Sequence, residues 1–548
     1  MRAARWVEVR LACFVTFPRL DSSFERFRCG LARKLEIMPH KYSDEIDFTS
    51  PCPTTSAARV TENSPLDASP PTLPERLENV ANGLWQSVRF GARALELKAD
   101  TTAPRERIEQ KQRRRLRRLL AHAKEHSPYL AQKYADHDPE TARLEDLPTV
   151  SKGEVMEHFD EYLTVDLKRD EVEAFMDDEG NLGKLCRDEF VLSHTSGSTG
   201  QPLLLVKSRR DFELLFALQA SRGNSEELDL SQMLSRLVEP VRLAAVTMQP
   251  GFYPSGTAFQ YMPEGVRNFI DVKQLSFSDC NFAEQLAEFR PTHLSTYASI
   301  LHDLARREEA GEINLKDNLR QITNISEVLL PDMRRRYGEL FGATMLDDYG
   351  MGECLFLTNG CPKTGGMHVN ADWAIVETVD EENRPVPVGE RCAKVLVTNL
   401  ANRVQPFIRY EVSDILVMAP DESCGCGSRL PLIERVEGRT SDLLFARQGD
   451  GFRSFHPGLI EKAIGSGAPV REYRLTQDEL GKVRIEVEPI GGNKPDTAEV
   501  ERAVRESLET GGVGDGLDVT VEVVERLAPE DGGKFKRVVL NVEPPSED

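Results

Sequence analysis

Between Thr195 and Gly200 the chain gathers Thr195, Ser196, Gly197, Ser198, Thr199 and Gly200 into one short stretch, closed by Gln201 and Pro202 and followed by an apolar run. Such a turn suits an anion, because glycines let the backbone approach closely and successive N–H groups and hydroxyls can wrap a phosphate. The order fits neither the G-x-x-x-x-G-K-[ST] loop nor a G-x-G-x-x-G dinucleotide turn. Taken alone, such a segment is more often a polar loop between two strands than a nucleotide site. Other chemically capable residues lie downstream. "DDYGMGE" sets Asp348, Tyr349 and Gly350 just ahead of Glu353. "PFIRYEVSD" ends on Asp414, "VEGRTSD" contains Arg439, and "GGKFKR" presents Lys534 from a glycine turn, with Lys536 on the same face if the segment is extended. Cys361 and His368 form a C-x6-H pair, and Cys424 and Cys426 a C-x-C pair.

These groups need strands and loops to hold them. "DEFVLSHT", "PLLLVK", "VRLAAVTM", "THLSTYAS", "RQITNIS" and "ATMLDDYG" each read as a strand reaching a loop, and they alternate with amphipathic segments. That alternation predicts an α/β fold with its sites at strand ends. Upstream, "RERIEQKQRRRLRRLLAHAKEHSPYLAQKYA" has leucines and alanines at helical spacing, its arginines forming a solvated face. After Gly438 the texture changes: "VREYRLTQ", "KVRIEVEPI", "TAEVERAVRESLE" and "DVTVEVVERL" predict a small α+β module. The expected organisation is a leader and linker over residues 1–74, a large multi-lobed α/β domain over 75–437 and a small C-terminal α+β domain over 438–548. Residues 1–74 are expected to be unstructured, since Ser50 to Pro74 is rich in Pro, Ser and Thr and cannot bury enough surface to order itself.

A net charge of −21 argues against a nucleic-acid or anionic-membrane binder, because phosphate contact needs a positive face. No run of about 18 apolar residues occurs, so no membrane span is expected. The ten cysteines are too few and scattered for a disulfide scaffold, which suits a cytoplasmic protein.

Taken in order, five of these motifs resemble the adenylate-forming enzymes, the superfamily of acyl-CoA synthetases: "TSGSTGQP", "DDYGMGE", "PFIRYEVSD", "VEGRTSD" and "GGKFKR". "CGCGSRLPLIERVEGR" and "GGMH" are similar to the phenylacetate-CoA ligase branch. The resemblance covers roughly residues 110–548 and implies two domains joined by a hinge. It implies activation of a small-molecule carboxylic acid by ATP to an acyl-adenylate, followed by transfer to CoA, in a monomer or homodimer. Thr195, Ser196, Gly197, Ser198, Thr199 and Gly200 would cradle phosphates, and Glu353 would hold Mg²⁺. Tyr349, with Asp348 and Gly350 beside it, would stack on adenine, flanked by Ser326 and Glu327. Asp414 and Arg439 would bind the ribose, and Lys534 would be the catalytic lysine. Without the neighbouring motifs, Tyr349 would be an ordinary buried aromatic and Arg439 a surface charge.

The same resemblance brings the loops bearing Cys361, His368, Cys424 and Cys426 together, a thiolate and imidazole set suited to tetrahedral zinc, with buried free thiols as the alternative. It also departs from the family in two places. Gly438-Arg439-Thr440-Ser441-Asp442 lacks the first hinge carboxylate, and "FARQGDGFRSFHPGLIE" is expected to form a lengthened loop. An acceptor other than CoA (a carrier-protein thiol, an amine or a coenzyme hydroxyl) therefore stays open, as does a nucleotide-binding relative without turnover. The acid is expected to lie among "STYAS" and "VTMQPGFYPSG", whose aromatics suit an aryl or medium-sized apolar group.

Overall fold

The computed structural model describes residues 84–542, together with Thr72 and Pro74, but not 196–201, 224–234, 237, 248–250, 278, 280, 421–423, 440–442, 450, 456, 466–469, 491–494, 511 and 528–534. Five phosphate-loop residues, Ser196 to Gly200, therefore lie outside the described residues. So do Lys534, the hinge residues Thr440 to Asp442, and all of the leader but Thr72 and Pro74. Every described residue belongs to one compact unit.

The long amphipathic segment forms two helices, Arg105–His126 and Pro128–Lys133, where the sequence suggested one. Ser127 breaks it: with Pro128 next, its backbone is extended, and its side chain accepts from Leu130 N at 3.2 Å to cap the second helix. Strands β1 (Phe190–His194) and β2 (Leu204–Ser208) then form an antiparallel hairpin around the phosphate-loop segment.

Strands β3 (Val241–Thr247), β4 (Ile270–Ser276), β5 (His293–Thr296), β6 (Gln321–Ile325) and β7 (Thr344–Asp348) make a wholly parallel sheet in the order β4-β3-β5-β6-β7. Helices between them, including Ala298–Glu309 and Pro331–Phe341, pack against it. Beyond it stand two antiparallel sheets. One contains β8 (Thr358–Gly360), β9 (Met367–Val369), β13 (Asp414–Met418) and β14 (Leu432–Arg439); the other contains β10 (Ala374–Val379), β11 (Lys394–Asn399) and β12 (Tyr410–Val412). Because β14 runs through Arg439, the ladder of the large lobe continues past Gly438.

The small module opens with a hairpin of β15 (Leu444–Gln448) and β16 (Gly451–Phe455), followed by the helix Gly458–Gly465. The segment expected as a lengthened loop is thus mostly regular structure, turning at Gly449, whose φ of +59° suits a tight hairpin turn. β17 (Val470–Glu479), β18 (Lys482–Pro489), β19 (Asp518–Val523) and β20 (Val538–Leu540) form a mixed sheet under the helix Thr497–Thr510, with a core of its own.

A buried polar seam seats this module on the helix Ala298–Glu309. His302 contacts Tyr337 Oη through Nδ1 at 2.6 Å and Glu472 Oε2 through Nε2 at 3.0 Å, and Glu472 accepts two bonds of 2.8 Å from Arg537. Arg471 donates to Glu309 at 2.7 Å, Arg306 to Glu488 at 3.0 Å and Arg526 to Asp303 at 2.7 Å. Burial alone would raise the Glu472 carboxyl, but Arg537 and His302 hold it down at about 2. Its pairing thus contributes fully above the ordinary glutamate range and is lost as pH falls toward that value.

Breaking one partner of such a pair leaves a buried charge, at a cost of about 3–5 kcal/mol. Glu472→Gln should accordingly strip hydrogen-exchange protection from β17 and β18 while the β3–β7 sheet stays protected. Unchanged protection at β17 would show that the seam is held by other contacts.

Candidate functional site

The hairpin base, the turn after β7 and the β13–β14 ladder meet at one place. Thr195 closes the hairpin twice, donating its N–H to Leu203 O at 3.0 Å and accepting from Leu203 N through Oγ1 at 3.0 Å. Strand β7 ends at Asp348, and residues 349–354 fold into a turn closed by reciprocal Met351–Cys354 bonds. Gly352 allows this turn to sit on the hairpin, for a Cβ there would lie 2.5 Å from Leu205 Cδ1 and 3.5 Å from Thr195 Cγ2. Only a residue without a side chain permits that approach.

Tyr349 is fixed at both ends. Its N–H donates to Thr358 Oγ1 at 2.8 Å, and its phenol donates to Asp414 Oδ2 at 2.6 Å. Asp414, the first residue of β13, is paired across the ladder with Arg439, whose Nε donates to Asp414 Oδ1 at 3.0 Å. The phenol–carboxylate bond has the length of a charge-assisted hydrogen bond. Tyr349 as a residue is half-buried.

Asp348 points away from this group, accepting from Gln219 at 3.0 Å and from Gly360 N at 2.7 Å; burial pushes its carboxyl up to about 6 against those bonds. Gly350 is exposed in the same turn. Ser326, immediately after β6, adopts a left-handed conformation, φ +66°. The Glu327 carboxylate accepts from Ser299 N at 2.8 Å, from Ser299 Oγ at 3.1 Å and from Phe535 N at 3.1 Å. Glu327 therefore binds the backbone next to Lys534 to the large lobe, while Lys536 is exposed on the outside. The two segments expected around the acid also meet, through a Ser255–Tyr297 hydroxyl contact of 2.7 Å.

Glu353 is buried at 8% exposure. Burial pushes its carboxyl up, opposed by a hydrogen bond from Tyr410 and the charge of Lys207. Asn399 fixes its backbone by donating to Glu353 O at 2.8 Å. Lys207 is itself buried, which pushes its ammonium down to about 8, while Asp211 and Glu353 act in the opposite direction. Sequence reading missed Lys207, Tyr410 and Asn399. A usable signal existed for Lys207: strand alternation puts it on the same face as Leu203 and Leu205, so a lysine occupies a core-facing position.

Cys361, His368, Cys424 and Cys426 form a second group, with ligand atoms all within 4.8 Å of one another. His368 Nε2 lies 3.3 Å from Cys426 Sγ and 3.4 Å from Cys424 Sγ, while Nδ1 faces Leu430 O at 3.0 Å. That carbonyl fixes the tautomer that turns an unprotonated Nε2 toward the sulfurs. Burial alone would raise the Cys361 thiol, but hydrogen bonds involving His368 and Thr364 bring it down to about 5. Three soft sulfurs and one imidazole at this spacing can hold a tetrahedral metal ion.

No family model matches the chain. A phenylacetate-coenzyme A ligase of Thermus thermophilus is 24% identical over 469 residues, covering 80% of this chain and 97% of that protein. Among solved structures, the chain is similar to 2-hydroxyisobutyryl-CoA ligase in its postadenylation state with R3-HIB-AMP, at a TM-score of 0.60 and 20% identity over 80% of this chain and 91% of that one. Against the thioesterification state of that ligase, with 2-HIB-AMP and CoA, the TM-score is 0.51 at 21% identity, over the same shares of the two chains.

Asp414→Ala would leave the Tyr349 phenol and Arg439 without their shared acceptor, a loss of about 1–3 kcal/mol. Urea unfolding should show this cost, and Tyr349→Phe in the Asp414→Ala background should add little to it. Full additivity would mean that the two side chains are not coupled.

Proposed function

We propose that the chain is an adenylate-forming enzyme that activates a carboxylic acid with ATP and passes the acyl group to the thiol of CoA. The observation that carries this reading is the meeting of Thr195, the Gly352 turn and the Tyr349–Asp414–Arg439 group at one end of the parallel sheet. In the first step an oxygen of the acid attacks the α-phosphorus of ATP. A P–O bond forms, the bond to the β-phosphate breaks and pyrophosphate departs with its electrons. In the second, the CoA sulfur attacks the acyl carbon, its proton is lost and AMP leaves.

The residues divide this work. The loop from Thr195 to Gly200 receives the phosphates on its N–H groups and hydroxyls, and the Tyr349 ring receives adenine. Asp414 accepts ribose hydroxyls; its oxygens have lone pairs beyond those engaged by Tyr349 and Arg439. Glu353 offers a hard carboxylate donor of the kind Mg²⁺ requires, beside the hairpin that carries the phosphate loop, and so fits that ion. Bound there, Mg²⁺ would neutralise developing phosphate charge. Lys534, next to the Phe535 backbone held by Glu327, would bring a point charge to the acid and α-phosphate. Ser255 and Tyr297 would border an aryl or medium-sized apolar acid.

A second reading keeps adenylation and changes the acceptor to a carrier thiol, an amine or a coenzyme hydroxyl. It is favoured by the β15–β16 hairpin directly after a hinge that lacks its first carboxylate. At the Cys361, His368, Cys424 and Cys426 group, zinc fits the donors and their separations, and would tie the β8–β9 connection to the loop before β14.

Two experiments test these assignments. Pyrophosphate release across a panel of carboxylic acids, with and without CoA or amines, should reveal an acid-dependent reaction. Lys534→Ala should lower that reaction at least ~100-fold yet still convert a prepared acyl-adenylate with CoA, whereas Lys536→Ala should do both. Failure of the wild-type protein to pass the adenylate to CoA would favour the second reading. Metal analysis should find about one zinc per chain, and the double change Cys424→Ser, Cys426→Ser should lower both zinc content and melting temperature. A metal-free protein of unchanged melting would leave the four residues as plain thiols and a histidine.

A further inference from the structure

Lys207 stands where strand alternation calls for an apolar residue. Leu203 and Leu205 share its face of β2, and Leu205 Cδ1 touches the place where a Cβ of Gly352 would be, so this face lies on the turn that ends at Glu353. Lys207 is 3% exposed, and its Nζ has no hydrogen-bond partner. The carboxylates acting on it are those of Asp211 and Glu353. Asp211 is occupied as a helix cap, accepting from Ser208 N at 2.9 Å and from Ser208 Oγ at 2.8 Å. Beside Lys207 is a cavity of about one water's size lined by Asp211, Phe212, Leu355, Phe356 and Asn399. A buried ammonium without a direct partner costs stability, and neither the strand nor the core around it needs one.

We propose that Lys207 is a positioning residue, a resident counter-cation that sets how tightly Glu353 holds a divalent ion, so that the ion enters with the nucleotide and departs with pyrophosphate. The proposal rests on the reading of Glu353 as the metal-binding carboxylate. Its sign follows from charge. A divalent ion at Glu353 is repelled by Lys207 about twice as strongly as a proton at the same place, so removing the ammonium favours the metal even though the proton also gains. With Lys207 present, the resting carboxylate has its charge balanced without a metal, and the phosphates of ATP supply the extra attraction that draws one in.

The probe is Mn²⁺, titrated against the full-length protein and followed by loss of the free-ion paramagnetic signal, with and without ATP. Lys207→Met should bind Mn²⁺ without nucleotide at least ~10-fold more tightly than wild type, and Glu353→Gln in that background should abolish the gain. Lys207→Arg, which keeps the charge, should behave as wild type. Asp211→Asn provides a variant of opposite sign: with ATP present, it leaves the whole ammonium charge facing Glu353 and should raise the Mn²⁺ concentration at half-saturation. It also serves if Lys207→Met does not fold. Unchanged or weaker Mn²⁺ binding by folded Lys207→Met, or no shift in Asp211→Asn, would overturn the proposal while leaving Glu353 as a metal ligand. Mn²⁺ binding that ignores Glu353→Gln, even with ATP, would overturn both.

Discussion

The Asp414 carboxylate joins the turn after the parallel sheet to the far ladder of an antiparallel sheet. Tyr349 follows the parallel sheet, whereas Asp414 and Arg439 belong to an antiparallel sheet. Apolar packing between such elements sets distance but not direction. The 2.6 Å bond from the phenol to the carboxylate supplies the direction, since a hydrogen bond to a charged acceptor weakens quickly when bent. Everything later in the turn inherits that alignment. Gly352 meets the hairpin because Tyr349 is fixed four residues from Glu353, and the Glu353 side chain enters its buried position because Gly352 can seat there.

The two kinds of contact in the molecule have different consequences for motion. Inside each lobe the cores are apolar and close-packed. Between the large lobe and the small module, the seam is mainly carboxylates, guanidinium groups and one imidazole. Opened together, charged groups recover their hydration, so a buried ionic seam is close to neutral in free energy while remaining selective in geometry. An apolar seam of equal area would be far harder to part, because its surfaces gain nothing from water.

Which segments become β3, β5, β6 and β7 was legible in the sequence, because short strand-like runs reaching loops alternate there with amphipathic segments, and sites of such folds lie in the loops at strand ends. The motif residues around Tyr349, Glu353 and Asp414 were readable for the same reason: they sit at strand ends, close together in short stretches. What escaped reading depends on contacts between distant segments. β4 mixes charged and apolar residues, mostly half-buried and without clean alternation, and the break at Ser127 was hidden inside a strong helical period. The seam joins residues such as His302 and Glu472, 170 positions apart, and neither looks unusual in its own neighbourhood. Glu327 was read as a neighbour of adenine. Its carboxylate also accepts from Ser299 and from the Phe535 backbone, a use that no local pattern could announce.

Strand β20 pairs in parallel with β17, Leu475 opposite Val538, and Arg537 immediately before it supplies both bonds to Glu472. During synthesis, the ribosome must therefore make more than sixty further residues after Leu475 before that pairing can form. Until then Glu472 lacks its guanidinium partner, and Glu327 lacks the Phe535 backbone that places the lysine-bearing segment. The large lobe can fold while the chain is still being made, and the face proposed to bind nucleotide can take shape early. Lys534, the lysine proposed for catalysis, is made after all of these groups, so a nascent chain can assemble the Tyr349–Asp414–Arg439 group before the proposed reaction centre is complete.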